Sequence, residues 1–267
     1  ISISENISPK TLTFKELNHR VSSVQKELFK LGVKKGTIVA GFVPNCAETV
    51  ISMLAVSSLG GVWTSCSPDF GANGVVDRFG QVNPHILITS NGYSYNGKLF
   101  KLEEKVNGVL ESIDSIRHIV EIEYVDIKSN FNHDSIISFG DILNGEQTKP
   151  TFEQLPFNHP LFIMYSSGTT GPPKSIVHSA GGTLIQHMKE HQLHCDIKSG
   201  KSTMFWFTTC GWMMWNWLVS GLSSGSTIVL YDGSPSYPGL ERLWKMIDDF
   251  NITHFGTSPK FLSACDS

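Results

Sequence analysis

The sequence predicts an α/β fold of layered, mostly parallel sheets with helices on both faces. Two observations carry that prediction. Short apolar runs of strand length alternate with helix-length amphipathic stretches along the chain, the pattern of successive βαβ units. The 267 residues are 40% hydrophobic and 17% charged, which is ample for one large core. No internal repeat or low-complexity segment interrupts the alternation.

Taken in order, Phe14, Leu17, Val21, Val24, Leu28 and Leu31 recur at three- and four-residue steps, a helical stripe. Thr13 and Glu16 suit a capping box at its start, and Gly32 suits its stop. Residues 37–43 read as a buried strand ended by Pro44, and 47–59 as a helix closed by Gly60-Gly61. Residues 62–65 are strand-like, 74–82 a short helix, and 85–89 a strand after Pro84. Residues 91–98 read as a loop, 101–110 as a helix and 118–125 as a strand. The stretch 130–157 is polar and irregular, a candidate subdomain seam. Beyond it come a strand at 161–165, a β-like run at 175–178, and a helix at 181–194 with Gly181-Gly182 near its start. A strand at 204–207, a helix at 212–222 and a strand at 227–231 follow. An amphipathic helix at 240–250 and the beginning of another strand unit at 253–256 complete the series.

A net charge of −3 argues against nucleic-acid or anionic-membrane surfaces and leaves small molecules as the expected partners. Five cysteines without a C-x-x-C pair read as reduced thiols of a cytoplasmic protein. No signal peptide is visible, and no apolar run reaches the roughly 20 residues that span a bilayer. The first Met is Met53, and the chain stops shortly after Ser258-Pro259, so the expectation is a piece of a longer protein.

The richest chemistry lies between the strand at 161–165 and the run at 175–178. Ser166, Ser167, Gly168, Thr169, Thr170, Gly171 and Lys174 fall within nine positions. Glycines there let successive N–H groups turn toward an anion, hydroxyls add donors, and the lysine adds a compact positive charge. That content predicts a phosphate-binding loop, although the spacing is not Walker A.

Tyr165-Ser-Ser-Gly-Thr-Thr-Gly-Pro-Pro-Lys174 resembles the signature loop of the adenylate-forming (acyl-CoA synthetase, AMP-binding) superfamily. The blocks at 176–182, 208–217 and 228–235 resemble its acetoacetyl-CoA synthetase branch more than the acetyl or long-chain branches. The resemblance implies part of the large N-terminal domain of such an enzyme. It implies ATP-dependent activation of acetoacetate through an acyl-adenylate and transfer to CoA, with Mg²⁺ accompanying ATP. It assigns the loop at 166–174 to the ATP phosphates. It also borders the acyl group with Trp212, Met213 and Met214, where core packing is the competing reading. Tyr95, Gly97 and Lys98 fall where the superfamily touches the CoA nucleotide, with Tyr95 in place of an expected arginine. Asp69 and Arg78 match the family text as a structural ion pair. The superfamily's later aromatic-x-Thr-Glu segment, ribose-binding Asp, hinge and C-terminal lid domain with its catalytic Lys have no counterpart by Ser267. No catalytic residue is therefore expected within this chain, which is expected to be inactive alone.

Two other classes compete. His187-Met-Lys-Glu-His191 matches the H-x-x-E-H spacing of a zinc hydrolase, with Glu190 as base and His194 and Cys195 nearby. The same spacing also suits a polar, partly exposed helix face, and no metal is expected. The other class is a non-catalytic nucleotide-binding remnant.

Overall fold

The computed structural model describes residues 1–145, 149–167 and 171–266. Its first strand, β1 (Ser2–Ser4), is too short to carry a periodic signal in the sequence. Helix α1 (Phe14–Lys30) starts at the expected capping box: Glu16 N donates to Thr13 Oγ1 at 3.2 Å, and Thr13 N donates to the Glu16 carboxylate at 2.8 Å. Gly32 follows at φ +88°, a left-handed stop that a side chain would strain. Next come β2 (Ile38–Phe42), α2 (Ala47–Ser58), β3 (Val62–Cys66), α3 (Ala72–Phe79) and β4 (Ile86–Ser90), close to their expected bounds.

Two expectations need correction. Residues 91–98 are not a plain loop: β5 (Gly92–Tyr95) and β6 (Lys98–Lys101) form an antiparallel ribbon. Asn96 and Gly97 turn it at φ 52° and 72°, and Asn-Gly is the pair that tolerates left-handed backbone at both turn positions. Helix α4 (Glu103–Ser112) and β7 (His118–Ile122) follow. The stretch 130–157 is then not wholly irregular, because β8 (Ile136–Ser138) and α5 (Phe139–Leu143) form within it and β8 pairs parallel with β7.

The remaining elements are β9 (Pro160–Tyr165), β10 (Ser175–Ser179), α6 (Ala180–Lys189), β11 (Thr203–Trp206), α7 (Met213–Ser220), β12 (Thr227–Asp232), α8 (Arg242–Asp249), β13 (His254–Gly256) and α9 (Pro259–Cys265). A π-helical turn, Glu190–His194, ends α6, and a 3-10 turn, Gly221–Ser224, ends α7.

A seven-stranded sheet has the order β10-β9-β3-β2-β4-β7-β8, parallel except where β10 returns along β9. A four-stranded parallel sheet has the order β1-β12-β11-β13. Alternate strand residues of the large sheet enter different cores: Val39, Ile86, Ile88 and Val120 pack on one side, Ala40, Phe42, Leu87 and Ile119 on the other. Burial on both faces explains why these strands read as continuous apolar runs. Phe205, Val229, Leu243, Met246 and Phe261 form a third core in the small sheet. Among the described residues no helix is long and apolar enough to cross a membrane.

Candidate functional site

The two sheets meet at the carboxyl ends of their parallel strands. Asn45, just past β2, joins them: its Nδ2 donates to Thr208 O and Tyr231 O, each at 3.2 Å, and its N donates to Asp232 Oδ1 at 3.0 Å. Trp215 Nε1 donates to Asn45 Oδ1 at 2.9 Å. Beside it, Ser65 Oγ donates to Cys210 O at 2.7 Å. Parallel α/β sheets bind ligands in the crevice beyond their carboxyl ends, so this seam is where a site belongs.

A cleft of about 310 Å³ opens there. One wall is Ser67, Pro68 and Asp69 after β3, with Tyr93, Ser94 and Tyr95 of the ribbon. The other is Phe207, Thr208 and Thr209 after β11, with Tyr231, Asp232 and Gly233 at the end of β12. Burial pushes the Asp232 carboxyl up to about 7, against the pull of the Asn45 N–H. Its Oδ2 is shut from solvent, and burial of a carboxyl favours its neutral form.

The hydroxyl- and glycine-rich loop joins β9 to β10 as a hairpin connection on the same rim, since β9 runs parallel to β3. Ser166 N donates to Lys174 O at 3.0 Å, and Lys174 N donates to Ser166 Oγ at 2.9 Å, closing the base. Gln81 braces the far strand by donating to Pro173 O and accepting from Ser175 Oγ. Ser167, Gly171 and Lys174 are exposed. Gly168, Thr169 and Thr170 lie outside the described residues.

Gly211 packs close to the end of β3, where a Cβ on it would sit 3.6 Å from Ser67 N. The chain then presents Trp212, 64% exposed, and Met213, 46% exposed, at the start of α7. Core packing explains Trp215 and Trp217, both buried, and does not explain Trp212. Tyr95 lines the cleft; Gly97 instead packs on Tyr237, and exposed Lys98 lies just outside the lining.

Other expectations are redrawn. Arg78 donates to Gly74 O at 2.7 Å and lies 4.7 Å over the Phe70 ring; among the described ion pairs it has none with Asp69. The stacking geometry supplies the cation with an aromatic face instead. His187 and His191 are neither a zinc pair nor an exposed face. Both are buried against α7: His187 Nδ1 bonds Ser220 Oγ at 2.7 Å, and the His191 ring meets Trp217 edge-on at 4.5 Å. Glu190 accepts from Trp217 Nε1 at 2.9 Å and so is engaged as a structural acceptor. Burial, then the charge of neighbouring His191, pulls the His187 imidazole down to about 4. Among the described residues no three His, Cys, Asp or Glu side chains gather as a metal-binding group.

Nothing local in the sequence marks Asn45 or Asp232 as functional. Asn45 and Asp232 each sit at the carboxyl end of a predicted parallel strand, and that position was the available signal.

Comparison with known proteins fits this geometry. The AMP-binding enzyme family matches residues 5–265. Acetoacetyl-CoA synthetase of Xenopus tropicalis is 44% identical over 98% of this chain and 40% of its own length. The acetoacetyl-coenzyme A synthetase of Rhizobium meliloti (strain 1021) is 47% identical over 95% of this chain and 39% of its own length. A malonamoyl-CoA synthetase of Penicillium aethiopicum is 39% identical over 98% of this chain and 39% of its own length. The solved structure of acetoacetyl-CoA synthetase from Streptomyces lividans superposes with a TM-score of 0.94 at 43% identity, covering 99% of this chain and 40% of that one. The chain thus spans about two-fifths of the length of the curated relatives it matches.

Proposed function

The chain belongs to the AMP-binding enzyme family, and from that premise we propose that the protein is an acid–thiol ligase that activates acetoacetate with ATP and passes the acyl group to CoA. In the first half-reaction a carboxylate oxygen attacks the α-phosphorus of ATP, the bond to the bridging oxygen breaks, and pyrophosphate leaves. In the second the CoA sulfur attacks the acyl carbon, the thiol proton is lost, and AMP departs.

The observation that carries the reading is one rim holding a phosphate-suited hairpin, an exposed apolar corner and a cleft. The first step brings anions together, so donors and a cation must meet the β- and γ-phosphates. Ser166, Ser167, Gly171 and Lys174 supply these among the described residues, and Gly168, Thr169 and Thr170 complete the sequence motif. Mg²⁺ belongs to this reading as part of the MgATP substrate. Trp212, Met213 and Met214 border the acyl group, and the cleft beside Tyr95 takes CoA, with Lys98 near its phosphates. The names of the relatives narrow the acid further, because acetoacetate and malonamate both carry a carbonyl β to the carboxylate.

On the same reading residues 1–267 lie within the large N-terminal domain, with 130–157 as a subdomain seam. Five free cysteines, three of them buried, suit a reducing cytoplasm.

The test is pyrophosphate release by the full-length protein with ATP, Mg²⁺ and acetoacetate, followed by thioester formation on adding CoA. Lys174→Ala is expected to lower kcat/KM for ATP roughly ten- to a hundred-fold, the cost of one charged hydrogen bond, with the fold intact. Unchanged ATP kinetics in that variant would sink the loop assignment.

A further inference from the structure

Glu5 follows the short strand β1 and accepts three backbone hydrogen bonds. Its Oε1 takes Asn96 N at 2.7 Å and Ser234 N at 2.6 Å, and its Oε2 takes Gly97 N at 2.8 Å. Asn6 Nδ2 adds a bond to Ser94 Oγ at 3.2 Å. One carboxylate therefore ties the ribbon turn to the loop leaving β12.

These two segments carry opposite walls of the cleft, Ser94 and Tyr95 on one side, Asp232 and Gly233 on the other. The fit is tight on both sides of the tie. A Cβ on Gly233 would sit 2.5 Å from Glu5 Cγ, and one on Gly97 would sit 2.7 Å from the Tyr237 ring. Tight two-residue turns leave their central N–H groups without a ladder partner, and a carboxylate that collects them also disperses its own charge.

We infer that Glu5 is a positioning residue that sets the spacing of the cleft mouth and, through it, the affinity for CoA. This rests on the reading of the cleft as the CoA site. Glu5 touches no reacting atom in that reading. It holds Tyr95 and the turn beside Lys98 at a fixed distance from Gly233, so that the walls need no rearrangement when CoA enters.

CoA is used only in the second half-reaction, which separates positioning from general structural support. Glu5→Gln keeps the side-chain shape but replaces one acceptor oxygen with a donor facing an N–H. In the full-length protein it is expected to raise KM for CoA roughly ten- to a hundred-fold, the scale of one lost charged hydrogen bond. Acetoacetate-dependent ATP–pyrophosphate exchange, which needs no CoA, stays unchanged. Glu5→Asp, with both oxygens but a shorter reach, falls between the two. Equal loss in both half-reactions, or no change in KM for CoA, overturns the inference. Tyr95→Ala and Lys98→Ala, measured beside it, test the cleft reading itself. If they raise KM for CoA while Glu5→Gln does not, the inference alone fails. If none of the three moves it, the cleft is not the CoA site and both fall.

Discussion

The seam at Asn45 and the hairpin loop after β9 share one rim and are held in opposite ways. At the seam every polar group of the Asn45 side chain is bonded, to partners 163 to 186 residues away in sequence. The bonds that hold the loop lie at its base, between Ser166 and Lys174 and through Gln81, while Ser167, Gly171 and Lys174 are exposed. The difference separates two jobs. A buried hydrogen-bonded junction fixes where the walls stand, because leaving any of its groups unpaired is costly. On the proposed reading, exposed Ser167, Gly171 and Lys174 can reach a polyanion and exchange water for phosphate oxygens. On the proposed function, preorganised walls beside an accessible phosphate-binding segment are what proximity catalysis asks of a site.

The largest effect is expected from breaking the seam. Asn45→Ala leaves Trp215 Nε1 and the carbonyls of Thr208 and Tyr231 buried without their partner, while the backbone bond to Asp232 survives. A loss of about 3–5 kcal/mol in urea-unfolding free energy is expected for such a network. Lys174→Ala, on the exposed loop, is expected to change the same quantity by less than about 0.5 kcal/mol. Equal effects would erase the distinction between the two regions.

What the sequence disclosed follows the range of the interactions. Helix α1 was legible because its caps and apolar stripe are local, three or four residues apart. The ribbon has a local signal too, Asn96-Gly97, the pair that suits a tight two-residue turn. Asn45 beside Pro44 looks like any turn, and its partners are named only by the fold. Strand β1 has three residues and pairs with Leu230, Tyr231 and Asp232 at the far end of the chain. Around α6 the local signal pointed the wrong way. His187 and His191 are buried while Leu184, Ile185 and Leu193 face out, an inversion that no count of polar residues predicts.

That inversion gives the next effect, and it sets α6 against the seam by sign. Burial and His191 lower the His187 imidazole from 6.5 to about 4, so the unfolded chain takes up the proton first. Stability from this group is full above pH 6.5 and is lost as pH falls toward 4. His191, lowered by burial, acts in the same direction. Ser220 bonds the His187 ring, Trp217 and Glu190 pack about His191, and His178 of β10 adds a small unfavourable charge. Asp232 runs oppositely, because its carboxyl is raised from 3.8 to about 7 and its ionisation costs stability as pH rises through that window. Replacing His187 with Gln, which can still bond Ser220, is expected to remove an acid-linked loss on the order of 1–2 kcal/mol between pH 7 and 5, after discounting for residual solvent. Unfolding curves of the two proteins should keep a constant offset above pH 6.5 and change it below. A constant offset down to pH 5 would mean that His187 does not carry the linkage.

A small effect on stability is also expected at Trp212, and there the contrast between held and open regions is sharpest. Trp212 and Trp215 lie three residues apart at the start of α7, yet one is 64% exposed and the other fully buried and bonded to Asn45. Trp212 precedes the first helical residue with φ −109° and ψ 148°, an extended backbone that glycine also adopts. Trp212→Gly should therefore change unfolding free energy by less than about 1 kcal/mol, little of the ring being removed from water in the folded state. Its effect should appear in the acid accepted. Removing a large ring from an apolar wall admits longer chains, and each methylene in such a pocket is worth about 1–3 kcal/mol, so the gain should be graded along a series from acetoacetate to its longer homologues. The measurement is kcat/KM across that series for both proteins. An unchanged chain-length profile would remove Trp212 from the acyl wall and leave the exposed end of α7 without a part in the reaction.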